Sequence, residues 1–74
     1  MCIRDRYPPG TFFDTHTHGV DKIDAVVSGR FRMVLEGAEI VLDPGDMVEV
    51  PRGARHSAEV VGSEAVVSLD AVRR

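Results

Sequence analysis

The sequence lacks most features that would tie it to a membrane, a nucleic acid or an oxidising environment. No apolar run approaches the roughly 20 residues that a helix needs to span a bilayer. The formal net charge is −3, with acidic and basic residues interspersed, so no basic stripe is available for phosphate contacts. A single cysteine, Cys2, excludes an internal disulfide and is compatible with a reducing compartment. Residues 1–6 do not follow the basic, then apolar, then small-residue order of a signal peptide, and a cytoplasmic location is expected. Internal repeats, low-complexity tracts and convincing amphipathic helices are also missing. There is no glycine-rich phosphate loop. Ser57 adjoins His56, but neighbouring strand residues face opposite ways, which argues against a Ser–His dyad.

What is present is the punctuation of a small all-β protein. At 74 residues the chain is one domain at most. A chain of this size buries only about 60% of its unfolded surface and needs support from a metal, a partner subunit or further sequence. Apolar residues make up 43% and charged residues 28%, as in ordinary globular proteins. Seven strands are expected: 11–18, 23–28, 30–35, 38–42, 46–50, 56–61 and 65–72. In the third, Phe31, Met33 and Leu35 alternate with Arg30, Arg32 and Val34, so one face is core and the other solvated. Glu36-Gly37 forms a two-residue hairpin link, and Asp43-Pro44-Gly45 and Pro51-Arg52-Gly53 are turns. Residues 1–7 share nothing with this pattern. They are expected to be a non-native or disordered tail, with the domain over 8–72, Tyr7 peripheral, and one or more N-terminal strands missing. Short strands at regular spacing predict a sandwich or barrel.

Chemistry concentrates in the three histidines. On a strand, residues i and i+2 share a face, so His16 and His18 would present two imidazoles side by side. His56, just after the Pro51-Arg52-Gly53 turn, is the candidate third. The spacing is specific. Gly10, His16, His18, position 22 and Gly29 are separated by five, one, three and six residues. Gly45, Pro51, Gly53 and His56 are separated by five, one and two. These runs resemble the two signature motifs of the cupin superfamily, G-x5-H-x-H-x(3,4)-E-x6-G and G-x5-P-x-G-x2-H-x3-N. Eight motif positions match, in the right order.

The resemblance implies a small all-β barrel of jelly-roll type, with a metal inside on His16, His18, His56 and the first motif's glutamate. Two positions depart from it. Val60 stands at the asparagine, and Lys22 at the glutamate, where an ammonium cannot ligate a cation. Three readings are open. Asp21 or Asp24 supplies the carboxylate, with alternation favouring Asp24 because it shares a face with Lys22. Or three histidines hold the metal alone. Or no metal binds, and Lys22 pairs with Asp24 or meets an anionic ligand. Lys22 and Arg55 are the pocket candidates.

The expected function is that of a metal-binding cupin, holding a divalent Fe, Mn, Zn or Ni ion and a small anionic organic molecule, with oxygenase or isomerase chemistry if it is an enzyme. The alternative is a non-catalytic ligand-binding or sensor module with a structural metal or none. Strand edges and apolar surface left by so short a barrel make a homodimer the expected assembly.

Overall fold

The structure is a computed structural model and describes residues 2–73. Eight strands form in chain order: β1 (Cys2–Tyr7), β2 (Phe12–His16), β3 (Asp21–Ser28), β4 (Arg30–Leu35), β5 (Ala38–Leu42), β6 (Met47–Val50), β7 (His56–Val61) and β8 (Val66–Arg73). They make two four-stranded antiparallel sheets, β1-β8-β3-β6 and β2-β7-β4-β5. This is the all-β sandwich that the regular turn signals predict. No helix long and apolar enough to cross a membrane occurs among the described residues.

Alternation decides what faces the space between the sheets. His56, Ala58 and Val60 point inward from β7, and Phe31 and Met33 from β4. Asp24 and Val26 point inward from β3, Val66 and Ser68 from β8. Val50, Leu42 and Ala54 complete the buried core. The β4–β5 hairpin turns at Glu36 and Gly37, both at positive φ (47° and 83°), and pairs Leu35 with Ala38. Positive φ at both central residues is the two-residue turn whose twist matches the flanking strands.

The N-terminus departs from expectation. Residues 2–7 are not a disordered tail but strand β1, paired along β8 from Cys2–Ala71 to Tyr7–Val66. Tyr7 is correspondingly not peripheral. Its ring lies 4.9 Å from that of Phe13, edge to face, and 5.9 Å from that of Phe31, stacked. Backbone pairing to β8 does not depend on side-chain motifs. That is why a segment with no motif residues still joins the sheet.

Candidate metal centre

Local pairing brings the histidines together. His16 ends β2 and lies directly opposite His56 on β7. The β2–β7 register shifts between Phe13 and His16, and the strand stops at His16, short of the expected His18. His18 is therefore held by something other than strand alternation. Its carbonyl accepts a 2.9 Å hydrogen bond from the Gly53 N–H, which ties the first histidine motif to the turn before His56. The ring centroids of His16 and His56 are 4.2 Å apart, those of His18 and His56 5.0 Å, and those of His16 and His18 4.8 Å.

The hydrogen bonds select the tautomers. His16 Nδ1 lies 2.7 Å from the Asp14 carbonyl and His56 Nδ1 3.1 Å from the Ala54 carbonyl. A carbonyl only accepts, so each Nδ1 carries the proton and each Nε2 carries a lone pair. His16 Nε2 and His18 Nε2 are 3.2 Å apart. Without a cation, His18 can donate its Nε2–H into the His16 lone pair. With one, the two rings would each be free to offer a nitrogen to the ion.

Donor chemistry and placement both fit a transition metal. One ligand atom from each ring lies within 4.8 Å of the others. Bonds of about 2.1 Å leave ligand nitrogens at most about 4.2 Å apart, so small ring rotations close the set on one ion. Burial holds the His18 and His56 rings below the usual imidazole pKa, and the neighbouring Lys22 ammonium and His16 lower them further, although the Ala54 carbonyl opposes this at His56. Neutral rings are the ones that ligate.

The histidines open onto a cavity of about 170 Å³ between the sheets. Tyr7, Phe13, Phe31, Met33 and Ala58 form its apolar lining. Facing the histidines, on β3 and β8, stand Lys22, Asp24, Ser68 and Asp70. Lys22 Nζ approaches Asp24 Oδ1 to 3.4 Å, an ion pair without hydrogen-bond alignment. Asp24 thus lies in the cavity beside Lys22, as alternation implied, although among the described residues only the three histidines cluster closely enough to share an ion. Asp21 lies elsewhere: its Oδ1 accepts the Arg52 N–H at 2.7 Å and holds the turn. Arg55 is exposed and lines a separate recess with Glu36 and Thr15.

Asp70 and Ser68 were not singled out in the sequence. Their signal was parity alone: Val66, Ser68 and Asp70 share the inward face of β8. Asp70 is paired directly opposite Asp24. Burial, then hydrogen bonding to and the like charge of Asp24, push it up to about 7, against the opposing pull of Lys22 and His18. The folded-state pKa therefore exceeds the ordinary 3.8, so the stability that Asp70 contributes is complete below that value and lost as pH rises through about 7. In chelator-treated protein, Asp70→Asn should melt progressively higher than the parent as pH rises from about 4 to about 7, with a constant gap above. A gap independent of pH in differential scanning calorimetry would refute the shift.

The comparisons agree with this geometry. The cupin-domain family model matches residues 4–72. The chain belongs to the cupin family. Acireductone dioxygenase of Bacillus thuringiensis subsp. konkukian is 33% identical over 63 residues, 78% of this chain and 37% of that protein. The cupin chain therefore spans little more than a third of the curated relatives it matches. Among solved structures, KdgF from Halomonas sp. superposes with a TM-score of 0.84 at 32% identity, covering 100% of this chain and 69% of that one. An RmlC-like cupin from Shewanella frigidimarina gives 0.87 at 25% identity, covering 97% and 63%.

Proposed function

We propose that this cupin is a metal-dependent enzyme of oxygenase type, acting on a small anionic organic molecule in a reducing, cytoplasmic setting. The observation that carries the proposal is the convergence of three imidazoles at a largely apolar cavity. Similarity to the acireductone dioxygenases supports the reaction class. His16, His18 and His56 would hold the ion, drawn from Fe, Mn, Zn or Ni. When bound, it supplies Lewis-acid polarisation of a ligand oxygen and open coordination positions. The chain's own groups do the rest. Tyr7, Phe13, Phe31 and Met33 line the cavity and limit water around the ligand. The Asp14 and Ala54 carbonyls fix the His16 and His56 rings. The Lys22 ammonium draws the ligand's negative charge inward.

Elemental analysis after reconstitution at neutral pH tests this, with about one equivalent of a transition metal as the expected result. Less than about a tenth of an equivalent would reject the metal centre. Oxygen uptake over a panel of small organic acids then tests the chemistry. Lys22 in the acidic-ligand position favours a second reading, a ligand-binding module without turnover, which full metal loading with no uptake would support.

We propose in addition a homodimer. Phe12 and Met47 are 60% and 67% exposed, and β5 and β6 are sheet edges. Sedimentation should show two chains at micromolar concentration; a stable monomer would refute it.

A further inference from the structure

Among the described residues, two buried side-chain atoms facing the cavity have no hydrogen-bond partner: Asp24 Oδ1 and Ser68 Oγ. Both residues are nearly sealed from solvent, at 6% and 2% exposure. Buried polar atoms are almost always satisfied, so a pair of orphans on one wall asks for an occupant. The nearest groups leave both atoms unmet, since the bond between Asp70 and Asp24 does not engage Asp24 Oδ1. Lys22 Nζ is 3.4 Å from Asp24 Oδ1 without hydrogen-bond alignment. The Tyr7 hydroxyl, which Ser68 faces, instead donates to Asp5 Oδ2 at 3.3 Å.

The two orphans sit in adjacent, hydrogen-bonded strands. Asp24 is opposite Asp70, and Ser68 is opposite Val26 two positions along. This wall belongs to the sheet that does not carry His16 and His56. The cavity therefore has two chemically distinct walls. Imidazole lone pairs gather at one. At the other are the Asp24 Oδ1 and Ser68 Oγ atoms, beside Lys22, Asp70 and Tyr7 but without a well-formed hydrogen bond to any of them.

We propose that Asp24 and Ser68 form a hydroxyl-recognition subsite, and that the small molecule held against the histidines is a hydroxylated carboxylate. The proposal rests on the reading above that an anionic ligand enters this cavity. One neutral hydroxyl satisfies both orphans, donating to Asp24 Oδ1 and accepting from Ser68 Oγ–H. A ligand ammonium is disfavoured, because the Lys22 ammonium already occupies the flank of Asp24. A ligand carboxylate is disfavoured there as well, because Asp24 and Asp70 face each other on that wall. The Lys22 ammonium, whose charge reaches His18 and His56, draws the carboxylate to the histidines and leaves the hydroxyl to Asp24 and Ser68, which fixes the ligand's direction.

L-malate and succinate differ by one hydroxyl and serve as the probes. Titration calorimetry of zinc-loaded and of chelator-treated protein should show malate bound at least about tenfold more tightly than succinate, because a site built to bond a hydroxyl rejects the analogue without it. In Asp24→Ala and in Ser68→Ala the preference should fall to within about twofold, with metal content and cooperative melting retained. Equal affinity in the unmodified protein overturns the subsite. So does a preference that survives in both variants, since the hydroxyl is then read elsewhere, and so does failure of both acids to bind at millimolar concentration. If zinc is not taken up, the metal centre fails, while the malate-to-succinate ratio on the same protein still decides the subsite.

Discussion

His56→Ala should lose at least about a hundredfold in transition-metal affinity, and stoichiometric metal should disappear from the purified protein. Loss of a group that merely orients a ligand typically costs about 10–100-fold, and removing the ligand itself costs more. The geometry makes His56 the member hardest to replace. It faces His16 across the strand pair, its Nδ1 is committed to the Ala54 carbonyl, and its Nε2 looks into the cavity wall formed by the other two rings. It is also only 3% exposed, so alanine leaves a void in the core and lowers stability by itself. His18→Ala separates the two effects. His18 is only partly buried and lies outside the strands, so its loss should remove metal while leaving the melting temperature of the apo-protein nearly unchanged. Metal content within twofold of the parent in either variant, read by elemental analysis, would refute the three-histidine centre.

Gly29→Ala should lower stability by about 3 kcal/mol and the melting temperature by about 15 °C. Gly29 joins β3 to β4 at the corner where the chain leaves one sheet for the other. Its φ is 80°, a region that costs an L-residue about 1–2 kcal/mol. An added methyl would also collide with the Ala65 carbonyl oxygen and come within 2.9 Å of the Val66 Cα. Those are backbone atoms at the start of β8 and cannot rotate away. Gly10, with φ 83° and open space around it, is the control: Gly10→Ala pays the conformational cost alone and should lose about 1–2 kcal/mol. Equal melting temperatures for the two variants would show that the Ala65 contact does not matter.

The sequence made the strands from β2 to β8 legible because turn residues bound each one and side chains alternate between them. Three were placed with their observed limits, Arg30–Leu35, Ala38–Leu42 and His56–Val61. The histidine set was legible through spacing, although the route to it was misjudged for His18, which a backbone bond from Gly53 positions after β2 has ended. Strand β1 was missed because Arg4 and Arg6 look like a solvated tail. In fact they are the outward residues of an edge strand whose inward residues include Asp5 and Tyr7. The polar wall was missed for a different reason. Serine and aspartate at inward positions carry no motif, and only the pairing of β3 with β8 reveals that Asp24 and Asp70 meet. Asp21 shows the reverse case, a carboxylate near the motif that a turn N–H claims.

The bond from Gly53 to His18 has a consequence for how the chain acquires its ion. His18 and His56 are thirty-eight positions apart, and bringing them together carries the entropy of closing that loop. Before β2 and β7 pair, the chain offers a cation two imidazoles on a mobile segment. Such a chelate discriminates only by intrinsic affinity, which ranks copper above the other divalent first-row ions. Discrimination by shape begins when the Gly53 turn docks and His56 arrives. Under the proposed reading, the ion carried by the mature protein depends on whether it binds before or after that docking, and so on the supply of metal during folding as much as on the finished site.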